Sequence, residues 1–575
     1  MNFVAGYLKK YKVKAILAPF FKMLEAVFEL LVPLVMASII NKGIGASDTN
    51  YILRMSGVLI FLAVVGLCFS ITAQYFSAYA AVYVAADIRQ DLFGKILGLS
   101  QRTREQVGED VLTTRITSDI NQIQSCINMV LRLFLRSPFI VAGATVMAFI
   151  VDWKSALVFL VVVGLLSVIV YLVMKYTLPR YKTIAARLER VLHATSENLS
   201  GARVLRAFAR TDQELTEFKG RTKELADMQI STGKIATLLN PVTYVVVNIG
   251  VVALIYAASI RVDTGAILTG DVVALTNYMS QILVELIKLA NLIVLLMKAI
   301  PSADRVQEIM EMKSDERSHG NDGLAESADI SLKDVSFSYA GSDNYDLQDV
   351  TLNIPQGSVL GIIGGTGSGK STLLKLLNHT YDTDKGQITI GGVDVKNLSD
   401  SDLAKIFGIV PQKASLFAGS IRSNLSMKAA DIKDQDMVEA LTTAQAMDFV
   451  QEKEGVLDAE VAGKGANFSG GQKQRLTIAR GLVGKPKVVI LDDSASALDL
   501  ATEARLRKAL GLLEWKPTRI IVSQRASSVK DADQILVLED GHPVGLGKHE
   551  DLIKTCPTYE EIYYCQYPRE EAQGE

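Results

Sequence analysis

Three stretches of this chain, residues 57–86, 155–174 and 235–260, contain no Asp, Glu, Lys or Arg. A bilayer core about 30 Å thick is crossed by about 20 apolar residues in a helix, and in lipid an unpaired backbone is too costly for such segments to be anything but helical. Segments 15–40, 127–151 and 272–297 have the same length but carry internal charges, which makes six expected spans. Apolar residues make up 49% of the chain and charged residues 21%, so the two classes are segregated: from about residue 311 onward the sequence reads as ordinary soluble protein. A disordered chain, a small disulfide scaffold and a wholly soluble enzyme are excluded.

Basic residues in the connections set the orientation, because Lys and Arg are retained on the cytoplasmic side. Twenty lie before the first span and in 87–126 and 179–234, against four in the alternate connections: Lys42, Arg54, Lys154 and Arg261. Both termini and the soluble half are therefore expected in the cytoplasm, below a multi-pass domain in the cytoplasmic (inner) membrane. The two long cytoplasmic connections keep helical spacing, so the spans are expected to continue as stalks. The expected turning points are Gly108–Ile120 and Ser196–Arg206, where Gly, Ser, Thr and Asn break the pattern.

Lys22, Glu25 and Glu29 fall on one face of the first span, and Glu285 and Lys288 are three apart in the sixth. They either line a polar translocation cavity or form internal ion pairs that snorkel toward the interface. Arg132 and Arg136 are expected as end anchors of the third span. Sixty basic and 62 acidic side chains give a net charge of −2, which supplies no electrostatic case for nucleic-acid binding. Cys68, Cys126, Cys556 and Cys565 form no CxxC pair and have no nearby His, so they read as free thiols rather than metal ligands.

Residues 311–328 are polar and aperiodic and read as a linker between a membrane domain, 1–310, and a soluble domain, 329–575. Beyond it an apolar strand leads into Gly364-Gly365-Thr366-Gly367-Ser368-Gly369-Lys370-Ser371-Thr372. Gly364, Gly369, Lys370 and Ser371 satisfy the P-loop pattern in its strand–loop–helix setting. The glycines let backbone N–H groups turn toward phosphates, Lys370 neutralises the β/γ oxygens, and the Ser371 hydroxyl is placed for Mg²⁺. A second strand, 488–491, ends in Asp492, where a carboxylate can hold the same ion. Ser469-Gly470-Gly471-Gln472 makes another Gly-rich helix start, an anion site that cannot be the P-loop of the same nucleotide.

With these motifs in view the chain resembles the ABC transporter family, in particular a bacterial exporter half-transporter. The resemblance implies a six-helix all-α membrane domain with long cytoplasmic extensions, fused to an α/β P-loop nucleotide-binding domain. It implies that Tyr339 stacks on the adenine of ATP and that Gln412 joins Ser371 and Asp492 around Mg²⁺. Ser469–Gln472 becomes the signature loop facing a partner's ATP, Asp492 the Walker B aspartate, and Ser496–Asp499 the D-loop. Two such domains then sandwich each nucleotide head to tail.

Two positions depart from the family pattern. Asp493 stands where a glutamate usually orients the attacking water, and Gln524 stands in place of the switch histidine. Both changes fall in one pocket beside an intact signature loop, which resembles the degenerate-site subunit of a heterodimeric, multidrug-type exporter. The expected partner is a homologous half-transporter, and the expected cargo a hydrophobic or amphipathic small molecule. A lipid flippase or peptide exporter of the same fold is the alternative. A nucleotide-gated channel or a regulatory, non-transporting subunit is the alternative of another class.

Overall fold

The uncharged runs are long helices in the computed structural model, which describes residues 2–313, 327–339, 342, 344–428, 431–494 and 498–567. The chain divides into two units, Met1–Gly98 with Val107–Lys313 and Leu99–Gln106 with Ser314–Glu575. Of the expected linker, residues 314–326 lie outside the described residues.

The first unit is built from α1 (Lys12–Ser38), α2 (Thr49–Leu97), α3 (Ile120–Leu133), α4 (Arg136–Val151), α5 (Trp153–Ser200), α6 (Thr211–Asp263) and α7 (Thr269–Glu311). Among the described residues, five helical stretches are long and apolar enough to cross a membrane: Lys12–Ile44, Thr49–Leu97, Glu109–Val151, Trp153–Ser200 and Thr211–Asp263. The sixth expected span, 272–297, lies inside α7, which has 43 residues. Two helix starts are fixed by aspartates that satisfy orphan N–H groups. Asp48 accepts from the Tyr51 N–H and Asp152 from the Ser155 N–H, each at 3.0 Å. Asp152 also pairs with Arg261 at 3.0 Å.

The first stalk turns ahead of its expected window, and the second turns inside it. The first break falls at Gly98 and Leu99, ahead of the short helix Gln101–Val107, while almost all of 108–120 is helical. Only Gly108, with φ of 87°, interrupts it. In the second connection the helix runs through Ser200, turns at Gly201 and forms Ala202–Ala207 before Thr211 starts α6. Ser, Thr and Asn inside an otherwise helical pattern are weak breakers, because their side chains bond back to the preceding turn, as Thr114 and Thr117 do here.

The charges inside the membrane unit are internal ion pairs. Lys22 lies 2.5 Å from Glu25 and also donates to Ser70 at 3.1 Å. Arg136 corrects the reading of it as an end anchor: it is buried, and its guanidinium reaches Glu285 at 2.5 Å and Glu29 at 2.6 Å. It stands immediately after the break between α3 and α4, so one side chain ties that kink to α1 and α7. Ser137 and Lys288 complete the shell of Glu285, at 2.7 and 2.8 Å. A charge buried in lipid is tolerated only when partnered in this way.

Near their other ends α1 and α7 approach backbone to backbone. The Gly270 N–H donates to Asn41 Oδ1 at 2.7 Å, and Asn41 donates to Asp271 at 3.0 Å. A Cβ on Gly270 would lie 2.5 Å from the Ala37 carbonyl oxygen. Small residues at such crossings are what let membrane helices pack. Gly270→Ala is therefore expected to lower the stability of the unit by about 1–3 kcal/mol, measured as thermal unfolding in detergent. Gly57→Ala, whose Cβ meets nothing within 4 Å, should leave the midpoint in place.

Among its described residues the second unit holds three sheets. One has four strands in the order β2-β1-β4-β5, from β1 (Ile330–Phe337), β2 (Leu347–Ile354), β4 (Lys385–Ile390) and β5 (Val393–Asp394). The central sheet has the order β12-β11-β3-β10-β9-β6 and uses β3 (Val359–Gly364), β6 (Phe407–Val410), β9 (Val488–Asp492), β10 (Thr518–Val522), β11 (Gln534–Glu539) and β12 (His542–Gly547). The third is the short pair β7 (Gly419–Ser420) and β8 (Glu460–Val461). Strands β6, β9, β10, β3 and β11 pair in parallel, and β3 and β9 are almost wholly buried, which explains their unbroken apolar sequence.

Candidate ATP site

Parallel pairing brings the carboxyl ends of β3, β10 and β9 to one edge, with Ile362 beside Val522 and Val522 beside Asp492. The three segments singled out in the sequence leave from that edge: the P-loop, the one that carries Gln524, and Asp492–Asp493. Ligands of open α/β sheets bind at such an edge.

The P-loop follows β3 and opens α8 (Lys370–Leu377). Gly364 is required by crowding, since a Cβ there would lie 2.1 Å from the Leu538 carbonyl oxygen. Gly369 is required by conformation, because its φ of 95° is left-handed. The Lys370 ammonium folds back onto its own loop, donating to the Gly364 carbonyl at 2.9 Å and to Ser368 Oγ at 3.2 Å. Burial pulls the Lys370 pKa down, opposed by Asp492 and Asp493. Burial, reinforced by the Asp493 charge, pushes Asp492 up. Both side chains are thus held where a phosphate and a cation would improve their surroundings.

A cavity of about 540 Å³ is lined by Tyr339, Thr366–Thr372, Gln412, Asp492, Asp493 and Gln524. Tyr339 stands edge-on to Phe337 and Tyr381, with centroids 5.0 and 5.4 Å away, and its hydroxyl shares a 3.3 Å hydrogen bond with Thr372 Oγ1. The Tyr381 hydroxyl donates to Glu105, which holds that carboxyl below its usual range. Gln412 Nε2 donates to Asp493 Oδ2 at 3.3 Å, leaving the Gln412 amide oxygen for a cation. Ser371 hydroxyl, Gln412 carbonyl and Asp492 carboxylate are all hard oxygen donors with a single carboxylate. That set suits Mg²⁺, which keeps waters and phosphate oxygens as its other ligands.

The signature residues are not at this edge. Ser469 caps α9 (Gly470–Leu482) in a reciprocal box, accepting from the Gln472 N–H at 3.3 Å while its own N–H donates to Gln472 Oε1 at 2.9 Å. Ser469 and Gly470 are exposed and lie outside the lining of the cavity. Of the D-loop, Ser496 and Ala497 lie outside the described residues; Asp499 caps α10 (Leu500–Gly511), accepting from the Thr502 N–H at 2.9 Å.

Sequence reasoning missed Tyr345, Asp346, Ser523, Asp540 and Gly541, which also line the cavity. Asp540-Gly541 was detectable: the dipeptide forms the two-residue turn between β11 and β12, with φ of 45° and 81°, a strong short-range hairpin signal. That this hairpin reaches the P-loop was not, because it depends on the Gly541 carbonyl accepting from Gln348 on β2, at 2.9 Å.

Residues 15–286 match the family described as ABC transporter transmembrane region, and residues 347–496 match ABC transporter. The chain is 32% identical over 574 residues, covering 100% of both sequences, to the uncharacterized ABC transporter ATP-binding protein YfiB of Bacillus subtilis. It is 26% identical to an ATP-dependent lipid A-core flippase of Vibrio vulnificus, over 98% of this chain and 96% of that one. The fold is shared with a bacterial Atm1-family ABC exporter solved with ATP bound, at TM-score 0.82 and 21% identity, covering 98% of this chain and 100% of the other. A helical membrane domain joined to a cytoplasmic ATP-binding domain with its P-loop site assembled places this multi-pass membrane protein in the ABC transporter family, as a half-transporter.

Proposed function

We propose that this chain is one half of a heterodimeric exporter that moves hydrophobic or amphipathic small molecules and hydrolyses ATP poorly at its own P-loop. The observation that carries the reading is the meeting of Asp493 and Gln524 in one cavity with Lys370 and Asp492. A general base must reach its water within hydrogen-bond distance, and Asp493 is one methylene shorter than glutamate and already accepts from Gln412. Gln524 can donate a hydrogen bond but carries no imidazolium charge. Lys370 and the loop N–H groups still bind phosphates, and Mg²⁺ would add charge neutralisation when held by Ser371, Gln412 and Asp492. Ser469 and Gly470 are exposed and the whole of Ser469–Gln472 lies outside the cavity, which suits a signature loop offered to the ATP of a partner with Glu and His at the matching positions. ATP closes such a pair only by binding the closed state more tightly than the open one.

The decisive experiment is purification of the tagged chain from its native membrane, followed by reconstitution with whatever homologous half-transporter accompanies it. The pair is expected to drive ATP-dependent flux of an amphipathic dye in vesicles, while the chain alone turns over ATP slowly. Vigorous hydrolysis and flux by the chain alone would remove the heterodimer reading. Lipid translocation is the second reading, favoured by the flippase relative, and short-chain fluorescent lipids in the same vesicles test it.

Tyr339 is proposed to stack on adenine. Tyr339→Ala should weaken ATP binding by about tenfold, within the 1–3 kcal/mol that base stacking on an aromatic ring supplies. Tyr339→Phe should stay within about twofold. A fluorescent ATP analogue titrated onto the purified chain reads both.

A further inference from the structure

The loop that carries Gln524 is held from behind by the last described helix. Gln566, the final residue of α11 (Pro557–Gln566), reaches the main chain on both sides of Arg525. Its Oε1 accepts from the Ala526 N–H at 2.9 Å, and its Nε2 donates to the Gln524 carbonyl at 2.7 Å. A backbone N–H only donates and a carbonyl only accepts, so the main chain itself fixes which way this amide points. The two bonds reproduce, from one side chain, the pairing that a neighbouring strand would give.

The helix that presents Gln566 is anchored. Tyr559 is fully buried, its hydroxyl hydrogen-bonded to His549 Nδ1 at 2.8 Å. It belongs to one apolar cluster with Ile363 of β3 and with Ala526 and Val529, which follow Gln524. From α10 the loop is gripped by Glu503, which is buried and accepts from Arg525 at 3.1 Å and from Ser528 at 2.7 Å. Between these grips Gln524 lines the cavity.

We infer that Gln566 is a positioning residue for ATP hydrolysis, setting where Gln524 stands against the terminal phosphate without itself touching nucleotide. Hydrolysis at this pocket then depends on the docking of the C-terminal helix. The inference rests on the ATPase activity of the family and not on the degenerate-site reading, since the clamp holds main-chain atoms that any residue at position 524 supplies.

The test uses the full-length chain in lipid nanodiscs, both wild type and with Asp493→Glu and Gln524→His, which keep the same backbone carbonyl and guard against a low starting rate. Gln566→Ala removes both bonds. Gln566→Glu keeps the helix packing and the acceptor for Ala526, but sets a carboxylate oxygen against the Gln524 carbonyl. Both are expected to lower kcat about tenfold, the scale of a modest misplacement of a catalytic group, with the KM for ATP changed less than twofold. Amide exchange at Ala526 should accelerate in Gln566→Ala and stay slower in Gln566→Glu. A Gln566→Glu variant with wild-type kcat, or a Gln566→Ala variant whose Ala526 exchange is unchanged, overturns the assignment.

Discussion

Asp493→Glu combined with Gln524→His is expected to raise ATP hydrolysis at this pocket by about a hundredfold, the lower end of what a positioned general base contributes. The pocket has everything else: Lys370, Ser371, Asp492 and Gln412 line it with the loop of Gln524 at its side. The gain is read as steady-state phosphate release from the assembled pair, against each single variant. With positions 493 and 524 proposed to act on one water, the two changes should be more than additive in free energy. Asp493 has a left-handed backbone with φ of 44°, a conformation in which Asp is more at home than Glu. That costs Asp493→Glu on the order of 1 kcal/mol, less than the expected gain. An unchanged rate with ATP affinity retained would show that the pocket is not limited by these two side chains.

Arg136→Met is expected to be the most damaging single change in the membrane unit. It strands Glu29 and leaves Glu285, the more buried of the two, with only Lys288 and Ser137. Removing one partner of a buried pair costs about 3–5 kcal/mol because the other charge stays behind. The yield of folded protein extracted from membranes and its thermal midpoint should both fall. Arg136→Met with Glu285→Met, which removes the stranded charge as well, should recover a large part of the loss. Should Arg136→Met alone be as stable as wild type, the ion network does not hold α1, α4 and α7 together.

Much of the fold and the site was legible in the sequence because the signals are local. Gly369 announces the P-loop, since its left-handed turn exists within a few residues of chain, although the crowding that demands Gly364 comes from Leu538 on β11. The uncharged runs announce helices because lipid offers no other partner for the backbone. Arg136 was misread for the opposite reason. An arginine after the polar start of a span looks like an anchor until three glutamates, two on α1 and one on α7, are seen to surround it. The first stalk turn was misplaced because the Ser and Thr residues of 108–120 were given the breaking strength that Gly98 possesses, whereas the second, at Gly201, falls inside its expected window.

The amino-acid order alone determined which half is apolar enough for lipid, where the P-loop pattern falls, and that Asp and Gln stand at positions 493 and 524, the two proposed to limit hydrolysis. These depend on side-chain chemistry and near neighbours. Only the tertiary structure decided that β10 lies between β3 and β9, so that the loop of Gln524 leaves the sheet between the P-loop and Asp493, and that Gln566 grips the loop from behind. Contacts between residues 42 or 161 positions apart are closed by sheet order and packing, and no local preference encodes them.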